Sequence, residues 1–450
     1  MNVVATASNK EQEVNDPNKR VKQAIWAYFL LLIFEGALRK WILPDLSNVL
    51  LVVRDPLAVW ILFVVWDRQQ FPKSINMYLM TAVGIIALIT AMAFGHGNFS
   101  VAIYGARILL IHFPLMYVIG KIFDRDDVIK MGKWLLLISI PMVILIALQF
   151  YSPQSAWVNR GVGGDLTGAG FSGAMGFYRP PGTFSFTNGT SLFFAFVGSF
   201  VVFFLLNRHL INRYILVLSA IAVIAAIPLS ISRGLFFNVV ISFIFAMIAT
   251  SRNKKYLSSM LVAVFILVIG FVILSQVEFF QTAIGAFTTR LESADTSEGG
   301  LQGTLGDRYL GGLISAISDA GDQPFFGYGI GMGTSVGSKL LTGNVTYLIS
   351  EGEWGRLLGE MGPALGLLAI FIRLALCLNL TVKSYTQIQA GDLLPWLLLS
   401  FGLTIIPQGQ WSQPTSLGFS TLVGGFIFAS FNNSIVTARS TGTTLLKKYI

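Results

Sequence analysis

Long apolar runs separated by short polar connections fill the chain between residues 21 and 432. A transmembrane helix needs about 20 mainly apolar residues, and this criterion predicts about twelve such helices. They lie at residues 21–38, 47–66, 75–95, 101–120, 132–151, 184–206, 214–231, 234–250, 257–275, 356–379, 392–407 and 415–432. The pattern predicts an all-α, polytopic integral membrane protein with polar tails at residues 1–20 and 433–450.

One interval departs from this pattern, because residues 276–355 form a long, polar, glycine-rich stretch between the ninth and tenth apolar runs. We expect the chemistry to lie in this large loop, and residues 21–275 and 356–432 to form the membrane scaffold around it. Apolar residues on one face of 305–321 predict an amphipathic helix that lies against the membrane surface or over the cavity. The glycines of 327–337 predict a loop flexible enough to act as a lid.

Composition supports the membrane assignment, since 54% of residues are hydrophobic and only 12% are charged. A mean hydropathy of +0.69 is incompatible with a water-soluble surface of this length. The first twenty residues are polar and show no secretory signal, so we expect the first apolar segment to stay as an anchor. The single cysteine, Cys377, excludes an intramolecular disulfide and a cysteine-based metal cluster.

The net charge of +9 does not indicate nucleic-acid binding, because the basic residues are spread through short loops. With both termini in the cytoplasm, roughly twenty of the 31 Lys and Arg residues fall on the cytoplasmic side, as the positive-inside rule requires. The large loop is then extracytoplasmic.

The remaining basic residues fall on the outer side or in the outer half of a helix. They are Arg39, Lys40, Arg54, Arg107, Arg160, Arg179, Arg233, Arg290, Arg308, Lys339 and Arg356. Charges near lipid are costly and usually face a cavity or a partner. Because guanidinium groups match phosphate oxygens bidentately, these residues predict an outward-facing site for a phosphate or pyrophosphate.

Four arginines of the scaffold are candidates for this site. Arg179 precedes two prolines at the start of a helix, and Arg233 lies in a tight outer turn between apolar residues, where helix capping or lipid contact is the alternative role. Arg107 lies in the outer half of the fourth helix, in which His112 is predicted to be a packing residue. Arg54 either lines the cavity or forms a neutralised structural pair with its neighbour, Asp55.

Five motifs, in this order, resemble those of the bacterial O-antigen ligase and polysaccharide polymerase superfamily, membrane glycosyltransferases of GT-C type. They are R-P-P-G-T-F-S-F-T-N at 179–188, S-R-G at 232–234, D-R-Y at 307–309, P-F-F-G-Y-G-I-G at 324–331 and E-G-E-W-G-R-L-L-G-E-M-G-P-A-L-G at 351–366. Each motif is short, and their order carries the resemblance. It implies a GT-C-like plan of twelve helices in the bacterial inner membrane, with a periplasmic active face.

The resemblance also implies the substrates. The donor is a glycan on undecaprenyl pyrophosphate, and the acceptor is lipid A-core for a ligase or another lipid-linked glycan for a polymerase of exopolysaccharide or O-antigen. Arg233 and Arg308, with Arg179 as a third, would bind the pyrophosphate and stabilise it as it leaves. No Asp-x-Asp motif or histidine cluster occurs in the outer loops, so neither a metal nor a cofactor is expected. A flippase and a chain-length regulator are the expected protein partners.

One departure bears on the reaction, because ligases of this superfamily carry a histidine near the end of the large loop and this chain has none there. Glu351 and Glu353 occupy that stretch, and either could act as general base. Alternatively, Glu353 and Arg356 only brace the loop, since Glu353, Arg356 and Glu360 share one helical stripe. The missing histidine favours a polymerase over a ligase.

The predicted site therefore has two parts. The catalytic candidates are Glu353, Glu351 and Arg308, and the substrate-binding candidates are Arg233, Arg308, Arg179, Arg356, Arg107 and Arg54. The rival from another class is a secondary transporter or a flippase for lipid-linked sugars. Transporters place their charged site near the bilayer midplane between repeated halves, whereas this chain shows no clear repeat and its charges crowd the outer half.

Overall fold

The computed structural model describes residues 16–252, 254–297, 311–346 and 348–432. Its α-helices are α1 (Lys19–Ala37), α2 (Ser47–Leu50), α3 (Arg54–Asp67), α4 (Ile75–Ala93), α5 (Phe99–Arg107), α6 (Phe113–Ile122), α7 (Arg125–Tyr151), α8 (Thr187–Leu206), α9 (Arg213–Leu229), α10 (Arg233–Arg252), α11 (Leu257–Gln276), α12 (Glu278–Ser297), α13 (Gly312–Ser318), α14 (Ser335–Thr342), α15 (Glu353–Gln389), α16 (Leu394–Ile405) and α17 (Pro414–Ser430). Two strands, β1 (Phe171–Ser172) and β2 (Tyr178–Arg179), form a short antiparallel hairpin.

Two π-helical turns extend these helices. Leu38–Ile42 continues α1, and Ile108–His112 joins α5 to α6. Such turns widen a helix locally and change the direction in which its side chains point. Here they carry Arg39 and Lys40 in the first turn and His112 in the second, all three of them buried.

Each of the twelve predicted apolar segments coincides with a helix, and the all-α, multi-pass membrane class is confirmed. In the described part of the chain, eight helices are long and apolar enough to cross a membrane, or nine if the bent pair Val268–Gln276 and Glu278–Glu292 forms one span. Arg213–Leu229 and Leu394–Ile405 are apolar but shorter. Apolar side chains on the outer faces of α3, α4 and α11 stay exposed, as expected of lipid-facing helices.

Helix α8 lies at the centre of the bundle, packed by α7, α9, α10, α16 and α17. Nearly all of it is buried, and its phenylalanines fill the core. The Phe196 ring stacks on Phe401 of α16, with 5.2 Å between centroids, and also contacts Phe426 of α17. Dispersion contacts between such rings hold helices together in an apolar surrounding, and this packing fixes the position of the N-terminus of α8.

The interval 276–355, predicted as a long polar loop, contains regular structure. Helix α12 starts directly after α11 and turns by 108° from it. Of the predicted amphipathic helix 305–321, the described part is α13 and a 3₁₀ turn, Asp319–Asp322. Its residues Ile314 and Ile317 are exposed, while residues 305–310 lie outside the described part of the chain.

Helix α15 is interrupted at Gly362, where φ is 73° and ψ is 174°. A side chain there would place its Cβ atom 2.1 Å from the carbonyl oxygen of Phe325, so only glycine fits both the conformation and the space. The break divides α15, which overlaps the predicted tenth transmembrane helix 356–379, into a short segment, 353–361, and a long helix that begins at Pro363. We call residues 353–361 the short arm of α15.

The glycine-rich segment 324–334, which includes most of the predicted lid at 327–337, is packed on both sides. Its backbone hydrogen bonds to the short arm of α15, with Tyr328 N–H donating to the Gly359 carbonyl at 2.8 Å and Gly329 N–H to the Glu360 carbonyl at 3.0 Å. On its other side, a Cβ atom at Gly331 would lie 2.2 Å from the Val101 carbonyl oxygen of α5. These glycines permit close backbone packing, so the segment is wedged between two helices.

We predict that Gly362→Ala destabilises the protein by about 1–3 kcal/mol or more, because alanine is strained at positive φ and its Cβ meets backbone atoms. The thermal unfolding midpoint of the detergent-solubilised protein should fall. Gly321→Ala is the matched control, since a Cβ atom at that position meets no atom within 4 Å. An unchanged midpoint for Gly362→Ala would contradict the described break.

Candidate functional site

A cavity of about 210 Å³ brings three arginines together. Arg179 comes from β2, Arg233 from the first turn of α10, and Arg290 from α12. The remaining lining is polar and apolar but uncharged: Asn188, Ser191, Leu192, Ile231, Ser232, Gly234 and Asn238. We call this space the arginine cavity. Two of its arginines, Arg179 and Arg233, are predicted site residues.

The turn before α10 is shaped to place Arg233 at this cavity. Ile231 is fully buried with φ of 46°, a strained conformation for a β-branched residue and a feature often found at functional sites. Ser232 caps α10, because its Oγ accepts the Leu235 N–H at 3.2 Å. Ser191 Oγ of α8 lies 2.8 Å from Ser232 Oγ. These contacts fix the turn against α8.

Arg179 and Arg290 reach the cavity through the hairpin and α12. The hairpin turn lies on the Ile231 side chain, since a Cβ atom at Gly173 would be 2.5 Å from Ile231 Cδ1. Arg290 Nη1 donates to the Gly173 carbonyl at 3.1 Å. Hairpin, turn and α12 therefore hold one another in place around the three guanidinium groups.

The electrostatics of the arginine cavity favour an anion. Burial, together with the nearby charges of Arg290 and Arg233, lowers the pKa of Arg179 to about 10. Arg179 is therefore still a cation at neutral pH, and it loses its charge only as pH rises through about 10. Its Nε is buried with no hydrogen-bond partner among the described residues. The N-termini of α8 and α10 add positive partial charge at the same place.

Glu353 and Arg356 lie in a different place, a buried ion-pair network at the start of α15. The Glu353 carboxylate accepts from Arg356 Nε at 3.0 Å and Nη2 at 2.9 Å, from Arg373 Nη1 at 2.6 Å, and from Trp411 N–H at 3.1 Å. Arg356 Nη1 also donates to Glu360. We call Glu353, Arg356, Glu360 and Arg373 the carboxylate brace.

This geometry favours the bracing role of Glu353 over a role as general base. Its side chain is inaccessible to solvent and its two oxygens accept four hydrogen bonds, so no position remains for a substrate hydroxyl. Arg373, from the long helix, reaches Glu353 because α15 folds back at Gly362. Glu351 is exposed beside the brace, and it is the glutamate that a substrate could approach.

Arg54 and Arg107 do not line the arginine cavity. Arg54 Nε donates to Glu35 at 3.2 Å, and its Nη2 donates to the Pro414 carbonyl at 2.6 Å. Asp55 does not pair with its neighbour Arg54, because it binds both Arg107, at 2.7 Å, and His112 Nε2, at 2.9 Å. Both arginines thus join membrane helices through buried ion pairs.

His112 has partners on both ring nitrogens, since Tyr28 Oη lies 3.0 Å from Nδ1 and Asp55 lies at Nε2. The ring is fully buried between α1 and α3. This surrounding matches the predicted role of a satisfied packing histidine.

A row of amide side chains connects the arginine cavity with the carboxylate brace. Asn188 Nδ2 donates to Ser416 Oγ at 3.1 Å and lies 3.4 Å from Gln413 Oε1. Gln413 Nε2 donates to Gln410 Oε1 at 2.7 Å, and Gln410 Nε2 to the Glu351 carbonyl at 2.8 Å. Gln410 and Gln413 lie in the connection between α16 and α17. Together with Asn188 of α8 they lead from the arginine cavity to exposed Glu351.

Arg308 lies outside the described residues, so its predicted role in pyrophosphate binding stays a prediction. The structure adds Arg290, which is predicted to lie on the outer side but is not among the predicted site residues. The sequence carries a signal for its position, because Phe280, Ala283, Phe287 and Arg290 recur at helical spacing within the predicted loop. Over the described ranges, no three or more His, Cys, Asp or Glu side chains group together as metal ligands would.

The chain matches no protein-family model and no curated protein.

We predict that Glu353→Gln lowers stability by about 3–5 kcal/mol, because it leaves Arg356 and Arg373 buried without their shared carboxylate. The thermal unfolding midpoint should fall clearly. Glu351→Gln is the control, since that side chain is exposed and its midpoint should not move. Equal midpoints for both variants would contradict the bracing role of Glu353.

Proposed function

We propose that this protein is a membrane glycosyltransferase that moves a glycan from a polyprenyl pyrophosphate to the hydroxyl group of another lipid-linked glycan, as a polysaccharide polymerase does. The observation that carries the proposal is the convergence of Arg179, Arg233 and Arg290 on one cavity. Fixed guanidinium groups of this kind suit a pyrophosphate.

The position of the cavity supports a lipid-linked substrate. Arg233 begins α10 and Asn188 lies in the first turn of α8, and both helices are candidate membrane spans. The ends of such helices lie near the lipid headgroups, where the pyrophosphate of a polyprenyl carrier is held. In the proposed arrangement twelve helices form a GT-C-like scaffold in the bacterial inner membrane, both termini are cytoplasmic, and the cavity faces the periplasm.

The proposed reaction is a displacement at the anomeric carbon. The acceptor oxygen forms the new glycosidic bond, the bond from the anomeric carbon to the pyrophosphate oxygen breaks, and its electron pair leaves on the polyprenyl pyrophosphate. The three arginines stabilise the negative charge that develops there, which is the largest contribution to catalysis in many acyl and phosphoryl transfers. The acceptor proton goes to a general base, for which exposed Glu351 is better placed than buried Glu353.

The residues that would contact the acceptor glycan favour a polymerase over a ligase. The large loop contains no histidine, and a histidine at its end is the residue implied for ligases by the resemblance. The amide row of Asn188, Gln413 and Gln410 offers uncharged donors and acceptors, which suit sugar hydroxyl groups.

The test is the lipid-linked glycan profile of cells that lack this protein, complemented with wild type, Arg179→Ala or Arg233→Ala. Losing one charge-stabilising donor should reduce polymer formation about 100-fold or more, and lipid-linked glycan with a single repeat should accumulate on the outer side. Arg213→Ala is the matched control. Arg213 is exposed at the N-terminal end of α9, whereas the turn that carries Arg233 follows the C-terminal end of the same helix.

Two other outcomes would overturn the proposal. If complete polymer forms on its lipid carrier but does not reach its final acceptor, the protein is a ligase. If single repeats accumulate on the cytoplasmic side, it is a flippase.

A further inference from the structure

A second, larger cavity of about 400 Å³ lies against the short arm of α15. Its walls come from α13 and the turn after it, from the glycine-rich segment, from residues 348–350 and from the short arm of α15. The polar groups at its surface are Asp319, Gln323, Tyr328 and Ser350, and the apolar ones include Met332 and Leu358. No part of the proposed reaction at the arginine cavity uses these residues.

The chemistry of this cavity is opposite to that of the arginine cavity. Its described lining contains a carboxylate, an amide, a phenol and a hydroxyl group, and no lysine or arginine. A carboxylate repels a pyrophosphate, whereas a carboxylate and an amide together accept and donate hydrogen bonds to neighbouring hydroxyl groups. The Tyr328 ring is 45% exposed and offers a flat apolar face for the C–H groups of a sugar ring. A neutral, polyhydroxylated ligand fits this combination.

The cavity is built on a rigid base. Tyr328 N–H donates to the Gly359 carbonyl at 2.8 Å, and Gly333 N–H donates to Glu360 Oε1 of the brace at 2.8 Å. Ser350 Oγ accepts the Gly352 N–H at 3.1 Å, and a Cβ atom at Gly359 would lie 2.2 Å from Ile349 Cγ2. The walls on both sides of the cavity are therefore fixed by the short arm of α15, as a preformed binding site requires.

From these observations we propose that this second cavity is a glycan subsite, which binds the neutral sugar residues of a lipid-linked glycan while the arginine cavity binds its pyrophosphate. This inference rests on the proposed function, since it names the place of the sugar part of the same substrate. Asp319 and Gln323 bind sugar hydroxyl groups, and the Tyr328 ring packs against a sugar face. Their role is in binding and specificity, and they take no part in bond breaking.

The test uses the full chain in lipid nanodiscs and two separate probes. One is the single-repeat oligosaccharide, released from its carrier by mild acid and freed of phosphate. The other is polyprenyl pyrophosphate without sugar. Asp319→Asn and Tyr328→Ala should each weaken oligosaccharide binding about tenfold or more, and should leave the Kd of polyprenyl pyrophosphate within about twofold.

Three controls make the result specific. Asp322→Asn removes a neighbouring exposed carboxylate outside the cavity and should bind the oligosaccharide as wild type does. Tyr328→Phe keeps the ring and should retain most of the affinity that Tyr328→Ala loses. Arg233→Ala should show the reverse pattern, with weakened binding of polyprenyl pyrophosphate and unchanged binding of the oligosaccharide.

The subsite is overturned if wild type does not bind the oligosaccharide at up to about 10 mM, or if Asp319→Asn and Tyr328→Ala bind it as tightly as wild type. Neither result bears on the arginine cavity, because its ligand affinity is measured separately with polyprenyl pyrophosphate. If Arg233→Ala leaves the binding of polyprenyl pyrophosphate unchanged, the pyrophosphate site of the proposed function fails instead.

Discussion

The ion pairs of the buried Glu353 carboxylate are the interaction on which the arrangement of both cavities of this protein depends. Two arginines share this carboxylate: Arg356 from the same short helical arm and Arg373 from the long helix that follows. A buried charge is tolerated only when it is paired and fully hydrogen-bonded. The pairing with Arg373 holds the short arm folded back on the long helix, which the chain permits only because Gly362 adopts a left-handed conformation.

Both cavities take their shape from this brace. On one side, Glu360 holds Gly333 and with it the glycine-rich segment that forms a wall of the second cavity. On the other, Glu353 accepts the Trp411 N–H, and the adjoining amides lead through Gln413 to Asn188 at the arginine cavity. A cationic cavity and a carboxylate-containing one thus lie on a single rigid support, which suits a substrate with a charged end and a neutral sugar end.

Much of the fold follows from the sequence, because a run of apolar residues long enough to span a bilayer is a local signal. The convergence of Arg179 and Arg233 could also be anticipated, since each adjoins a helix start on the predicted outer side. The roles of Arg54 and Arg107 could not be predicted from the sequence, because the partner of a buried arginine is set by tertiary packing. The close packing of the glycines in 327–334 could not be predicted for a related reason: sequence does not distinguish glycine needed for flexibility from glycine needed for close packing.

The proposed glycosyl transfer can be measured with the purified protein reconstituted in proteoliposomes that contain a single-repeat lipid-linked glycan. We expect polyprenyl pyrophosphate to be released in equal amount to the glycosidic bonds formed, and both products to disappear in the double variant Arg179→Ala, Arg233→Ala. Transfer of the intact lipid-linked glycan across the bilayer, with no pyrophosphate lipid released, would contradict the proposed glycosyl transfer.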